Sequence, residues 1–240
     1  MAPPPGTGVT LTAAQEHHIR SAFPNVLHFY RRYADLAMTD QQQTGVPATF
    51  TLAQGGVESG WGRHMPGNML FGVKADPNRV PPDQRQLVWT HEVVADPHRY
   101  DNYEHEPAVP LVDRNTGEPV TDSHGRQLYR IRARLWFRRF ASDADSIAHH
   151  SRFLQTNRRY ADAFRHTDNP VEFARAIAQA GYATGQAVDH GYERQLIAAI
   201  ALVDRVAAYA RAHSAEWEPG LASASTAGEP FGQHVAGDVR

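Results

Sequence analysis

Two segments near the middle of the chain alternate between apolar and polar residues, and helical patterns lie on both sides of them. Residues 86–94 and 128–137 have the two-residue period of a β-strand. In the second segment, one face would carry apolar side chains and the other face arginines: Tyr129, Ile131, Ala133, Leu135 and Phe137 against Arg130, Arg132 and Arg134. The pattern predicts a small antiparallel β-lobe over about residues 73–140.

Capping and breaking residues predict helices before and after this lobe. Thr12 can cap a first helix, with Glu16 near the spacing of a capping box, and Asn169-Pro170 is a strong start signal for a later one. The predicted helices cover residues 12–22, 26–43, 47–59, 142–154, 158–164, 170–181 and 189–213. The fold class is therefore α+β, a mainly helical lobe with an inserted β-lobe. We expect a flexible lead-in at 1–10, one domain at 11–213 and a disordered tail at 214–240.

Composition excludes several classes of protein. A formal net charge of -2 argues against a general polyanion binder, and the absence of cysteine excludes disulfide scaffolds, thiolate zinc sites and cysteine nucleophiles. No stretch has the roughly 18 consecutive apolar residues that a membrane span needs. The first residues lack the basic and apolar regions of a classical signal peptide, so we expect none.

Glu58 is the residue that the sequence singles out for chemistry. It ends the predicted helix 47–59, next to Val57 and close to Trp61. Apolar neighbours and the negative end of a helix dipole both raise the pKa of a carboxyl, which suits a general acid acting on a glycosidic oxygen. An exposed glutamate at a helix end explains the same position equally well. Gly55-Gly56 in this helix predicts either close packing against another helix or room for a ligand.

The segment around Glu58 resembles the signature of the bacterial β-N-acetylglucosaminidases of glycoside hydrolase family 73, which include the hydrolase domain of the flagellar rod protein. The residues that match its two central motifs are Ala53, Gln54, Glu58, Ser59, Gly60, Trp61 and Gly62, then Asn68, Leu70, Phe71, Gly72, Val73 and Lys74. Further matches follow in order at Thr90-His-Glu92, Phe140 to Ala148 and Ala180-Gly-Tyr-Ala-Thr184. The resemblance spans about residues 47–205. The chain departs from the family pattern at Gly55-Gly56, at His149-His150 and in a longer loop at 185–192.

The resemblance implies a lysozyme-like fold with a cleft between the lobes. It also implies hydrolysis of the β-1,4 bond on the reducing side of N-acetylglucosamine in peptidoglycan, without a cofactor or metal. Glu58 would be the general acid, Glu92 the second carboxylate, and Tyr182 a cleft residue that orients the acetamido group or a water. The residues expected to bind the substrate are Trp61, Asn68, Phe71 and Lys74.

The second carboxylate stays open at this point. A base that activates water would lie about 6.5–9.5 Å from the acid, and a nucleophile about 5–5.5 Å. Other acids of the predicted β-lobe compete with Glu92, and a substrate-assisted route needs no second carboxylate. These competitors are Asp76, Asp101, Glu104 and Glu106.

Other functions fit the sequence less well. A zinc motif of the H-E-x-x-H type starting at His91-Glu92 fails because Ala95 stands where the second histidine is required. Nucleic-acid binding would rest on Arg126, Arg130, Arg132, Arg134, Arg138 and Arg139, but a solvated strand face or attraction to an anionic cell wall explains them too. A non-catalytic wall-binding module and a muramidase are the remaining alternatives.

The biological role follows only from the resemblance. The enzyme would act in the periplasm or cell wall and would reach it through a dedicated secretion system, as type VI glycoside hydrolase effectors do. Release at phage lysis or processing from a larger precursor are the alternatives. Expected partners are peptidoglycan strands and an immunity protein that occludes the cleft, with no nucleic acid and no membrane span.

Overall fold

The computed structural model describes residues 10–122, 124–182 and 191–213, and it confirms the α+β class. In chain order its elements are α1 (Ala13–Ala22), α2 (Pro24–Thr44), α3 (Ala48–Ser59), β1 (Arg85–Val94), β2 (Val109–Pro110), β3 (Tyr129–Arg138), α4 (Asp143–Thr156), α5 (Pro170–Gln179) and α6 (Gly191–Ala212). Short 3-10 turns lie at Pro66–Asn68, Pro82–Gln84, Arg158–Tyr160 and Ala163–Arg165. Apart from Thr10, the predicted lead-in and tail lie outside the described residues.

Local capping chemistry sets most helix ends where the sequence predicts them. The Asn169 side chain accepts hydrogen bonds from the backbone N–H groups of Val171 and Glu172, and Pro170 follows at the first helical position of α5. Thr12 caps α1, but its capping-box partner is Gln15 and not Glu16. The helix predicted at 158–164 is instead two separate 3-10 turns.

Helix α3 is the centre of the helical lobe. It packs against α2, α5 and α6, and its side chains are buried along nearly its whole length. A helix that is covered on every side has no solvent-facing stripe, so its polar residues must find partners inside the protein. Gln54 and Glu58 are two such residues, and their i, i+4 spacing places them on one face of the helix.

The inserted β-lobe is a three-stranded antiparallel sheet with the order β1-β3-β2. The two long strands pair along their whole length, and Glu92 of β1 lies opposite Ile131 of β3. Residues directly opposite share a face, so Glu92 is on the apolar inner face predicted from the alternation. Within the described residues, no helix is long and apolar enough to cross a membrane.

The chain reverses sharply just after Glu58. Gly60, Trp61 and Gly62 have positive φ values of 60°, 60° and 81°, and for Trp61 this is an uncommon, strained conformation. The reversal folds the Trp61 indole back onto Gly56, where a Cβ atom would lie 2.4 Å from the ring. At Gly55 a Cβ atom would lie 3.0 Å from Leu70. The two glycines therefore make room for side chains of the following loop, and not for a second helix.

This packing predicts the effect of adding one methyl group. Gly56→Ala forces the Trp61 ring to move and should lower the free energy of unfolding by about 1–3 kcal/mol, as overpacked sites do. Gly191→Ala is the matched control, because a Cβ there meets no atom of the described residues within 4 Å. Urea denaturation of both variants is the measurement, and a Gly56→Ala protein as stable as the wild type would contradict the described packing.

Candidate active site

Glu58 lies at the last turn of α3 and is 7% exposed. Burial raises the pKa of its carboxyl to about 7, although a hydrogen bond from Tyr192 acts in the opposite direction. The apolar neighbours of Glu58 and its place at a helix end predict this raised pKa from the sequence. Near neutral pH the carboxyl therefore holds a proton in a large fraction of molecules, which an exposed glutamate would not do.

Tyr192 is a hydrogen-bonding neighbour of Glu58 that the sequence patterns do not predict. Its hydroxyl donates to Glu58 Oε1 over 2.9 Å and accepts from Gln54 Nε2 over 2.8 Å. The residue opens α6, 134 positions after Glu58, so no local motif connects the two. One signal was available: Tyr192, Leu196 and Ile200 follow at helical spacing and are all buried, and a buried tyrosine hydroxyl needs a hydrogen-bond partner.

Tyr182 lies beside Tyr192. The two tyrosine rings stack with centroids 6.0 Å apart and an angle of 10° between their planes. Burial, with the charge of Glu58, raises the pKa of Tyr182 well above its ordinary value. Tyr182 therefore keeps its phenol proton, and its charge interaction with Glu58 places the two side chains in one cluster.

Glu92 of β1 and Lys74, from the segment before that strand, are brought together in the β-lobe. Lys74 Nζ lies 2.9 Å from Glu92 Oε2, and the Tyr100 hydroxyl lies 3.4 Å from the same oxygen. Glu92 is 2% exposed, and its buried Oε1 has no hydrogen-bond partner in the described ranges. The ammonium group offsets the cost of burying the carboxylate, while Oε1 retains a free acceptor. Lys74 is thus committed to Glu92 and not free to bind substrate alone.

The competing acids of the β-lobe are exposed and differently placed. Glu104 and Glu106 pair with Arg134 and Arg132 at 3.0 and 2.5 Å. These arginines lie on the opposite face of β3 from Ile131, the residue paired with Glu92. Asp101 pairs with His98 at 3.1 Å, and Asp76 pairs with Arg79 at 3.3 Å. Among these acids, Glu92 alone combines deep burial with a single cationic partner.

The other residues expected to bind substrate have clearer structural roles. Phe71 is fully buried and stacks on His150 at 3.8 Å, so the expected substrate contact is wrong because no part of its ring reaches the surface. The Asn68 amide donates to the Phe140 and Ala141 carbonyls, which ties the loop after α3 to the start of α4. Trp61 is half-buried, packs edge-on against Phe29, and retains exposed surface.

The histidines do not form a metal centre in the described part of the chain. Residues 10–122, 124–182 and 191–213 contain no cluster of three or more histidine, aspartate or glutamate side chains that could hold a metal ion. His149 and His150 are adjacent on α4, and burial lowers their pKa values to about 4 and about 3. Both are neutral imidazoles at neutral pH.

Comparison with known proteins decides the family. The family model described as glucosaminidase, mannosyl-glycoprotein endo-beta-N-acetylglucosaminidase, matches residues 34–205, which is most of the described chain. This chain belongs to the glucosaminidase family. Its membership confirms the resemblance seen at the Glu58 motif, and it makes the protein a member of a family of glycoside hydrolases.

Among the relatives of this glucosaminidase, peptidoglycan hydrolase FlgJ of Vibrio cholerae serotype O1 is 28% identical over 183 residues, which cover 74% of this chain. The aligned part spans only 42% of that relative. The truncated glycoside hydrolase domain of Salmonella typhimurium FlgJ is 26% identical, with 73% of this chain and 95% of that chain covered and a TM-score of 0.46. A peptidoglycan hydrolase mutant from Sphingomonas sp. A1 is 25% identical, with 75% of this chain and 97% of that chain covered and a TM-score of 0.49.

The raised pKa of Glu58 predicts how stability depends on pH. The folded state holds this proton more tightly than the unfolded chain, so the stability that Glu58 contributes is fully present below its ordinary pKa of 4.5 and is lost as the pH rises to about 7. Glu58→Gln removes the titrating group. Its free energy of unfolding relative to wild type should therefore rise by about 3 kcal/mol between pH 4 and pH 8.

Denaturant unfolding at a series of pH values measures this difference. Glu118→Gln is the matched control, because it removes an exposed carboxyl of a β-lobe loop. A difference between Glu58→Gln and wild type that does not change with pH would contradict the burial of an ionisable Glu58.

Proposed function

We propose that this chain is a peptidoglycan hydrolase that cleaves the β-1,4 bond on the reducing side of N-acetylglucosamine. The observation that carries the proposal is the buried Glu58 carboxyl, with its pKa raised to about 7, in a chain of the glucosaminidase family. Two curated relatives are named peptidoglycan hydrolase FlgJ, and this supports peptidoglycan as the substrate.

Glu58 acts in this proposal as the general acid. Tyr192 donates to Oε1, so Oε2 is the oxygen left to carry the acidic proton. Transfer of that proton to the glycosidic oxygen lets the leaving sugar depart as a neutral alcohol. The Tyr192 hydroxyl then stabilises the carboxylate that forms, and Gln54 holds the hydroxyl in place.

Glu92 is the proposed second carboxylate. Glu92 lies on the inner face of β1 in an ion pair with Lys74, and its Oε1 is available to accept a proton or to attack. Because Glu92 is 2% exposed, this role requires the β-lobe to open enough to admit water or substrate. The competing exposed acids are already engaged by arginine or histidine partners.

A digest of purified peptidoglycan tests the proposal. Wild-type protein should release fragments that end in reduced N-acetylglucosamine after borohydride treatment, as identified by mass spectrometry. Glu58→Gln should lower the rate of release at least about 100-fold while the protein stays folded, because a general acid is lost. Fragments ending in reduced N-acetylmuramic acid would make the enzyme a muramidase. No fragments from the wild type would indicate a non-catalytic wall-binding module.

A second experiment tests Glu92 separately from Glu58. Glu92→Gln should lower turnover at least about 100-fold, and Glu92→Gly should be partly rescued by formate or azide, small anions that replace a missing carboxylate. Glu104→Gln is the matched control, because Glu104 is an exposed β-lobe acid on the opposite face of the sheet and should tolerate the change. Full turnover by Glu92→Gln would favour the substrate-assisted route.

The proposed site of action is the periplasm or cell wall, since the substrate lies there. Delivery by a type VI secretion system, an antibacterial effector role and an immunity protein that occludes the cleft stay predictions from the family resemblance.

A further inference from the structure

A cavity of about 380 Å³ lies between the base of the β-lobe and α4. Its lining includes residues 72–74, 76, 79 and 80 from the segment before β1, and His149, His150 and Phe153 of α4. Lys74 and Tyr182 also contribute to its wall. Because Lys74 binds Glu92, and Tyr182 stacks on the tyrosine that binds Glu58, the cavity adjoins both candidate carboxylates without being lined by either.

The lining of this cavity is strongly cationic. Its charged residues are Lys74, Asp76, Arg79, Arg138, Arg152 and Arg159. Lys74 is paired with Glu92, Arg79 with Asp76, and Arg159 donates to the Gly181 carbonyl. In the described ranges, neither Arg138 nor Arg152 has a carboxylate within ion-pair distance. Two guanidinium groups at this cavity are thus available to an anionic ligand.

The floor of the cavity offers a further polar group. His150 is 1% exposed, and neither of its ring nitrogens has a hydrogen-bond partner among the residues that the structure describes. A neutral imidazole has one donor and one acceptor, and leaving both unpaired in a buried position is costly. A bound ligand with polar atoms would satisfy them. Arg138 and Arg152 also act on His149, because their charges, after burial, lower its pKa.

We propose that this cavity binds a carboxylate carried by the muramyl residues of the glycan, with Arg138 and Arg152 as its cationic partners. The inference rests on peptidoglycan as the proposed substrate. N-acetylglucosamine is neutral, whereas muramyl residues carry either a free lactyl carboxylate or a peptide stem with its own carboxylates. Guanidinium groups bind carboxylates through paired, charge-assisted hydrogen bonds. The cavity thereby orients the strand beside Glu58 by its acidic substituents.

Calorimetric binding tests this proposal without requiring turnover. The Glu58→Gln protein would be titrated with soluble glycan fragments that carry stems, with fragments stripped of stems, and with both after their carboxylates are converted to neutral methylamides. Adding Arg138→Gln and Arg152→Gln should weaken binding of a carboxylate-bearing fragment at least about tenfold, and the methylamide fragments should lose this dependence on the arginines. Arg114→Gln, an exposed β-lobe arginine, is the matched control.

Each outcome decides the inference. Arginine-dependent binding that disappears on stripping identifies the stem carboxylates. Arginine-dependent binding that only the stripped fragments show identifies the lactyl carboxylate, which an amide bond to the stem otherwise occupies. An unchanged dissociation constant in the double variant, equal weakening for the methylamide fragments, or no binding of either kind of fragment would overturn it. Thermal melting curves show whether the double variant is folded. The single Arg152→Gln variant changes an exposed residue and is a second check that weaker binding does not come from misfolding. If wild type cleaves nothing but binding still needs the arginines, the proposed hydrolysis fails and the carboxylate site stands.

Discussion

The complete burial of α3 is the constraint on which the rest of the site depends. A helix enclosed by α2, α5 and α6 has no water to solvate its polar side chains, so Gln54 and Glu58 can persist only with internal partners. The Tyr192 hydroxyl of α6 is the partner of both, because it accepts a hydrogen bond from Gln54 and donates one to Glu58. The same enclosure raises the pKa of Glu58 to about 7. The tight packing of α3 and the raised pKa of Glu58 therefore have one cause.

The buried carboxyls of the two lobes have different electrostatic surroundings. Glu58 in the helical lobe accepts a hydrogen bond from a neutral hydroxyl, and its burial favours a proton on the carboxyl, whereas Glu92 in the β-lobe meets the ammonium group of Lys74. Two carboxyls whose environments differ in this way are what acid-base cleavage of a glycosidic bond requires. The strained reversal at Trp61 and the loop that Asn68 anchors connect the helix carrying Glu58 to the lobe carrying Glu92.

Sequence patterns predicted what local chemistry controls. Alternation located β1 and β3 within one residue of their ends, Asn169-Pro170 located the start of α5, and the apolar neighbours of Glu58 indicated its raised pKa. Contacts between distant segments escaped prediction, because no local period encodes them. Tyr192 of α6 donates a hydrogen bond to Glu58 of α3, and Phe71 stacks on His150 of α4. The Trp61 indole, which follows α3 in the chain, packs against Gly56 within that helix.

In the proposed mechanism, burial raises the pKa of Glu58 and thereby allows it to act as the acid. The most direct measurement is the titration of the Glu58 side-chain carboxyl by carbon-detected NMR on selectively labelled protein, compared with the alkaline limb of kcat/KM on soluble peptidoglycan fragments. The account predicts that both midpoints fall together near pH 7, because the free enzyme is active only with Glu58 protonated. A Glu58 midpoint near 4.5, or an alkaline limb unrelated to it, would contradict the account.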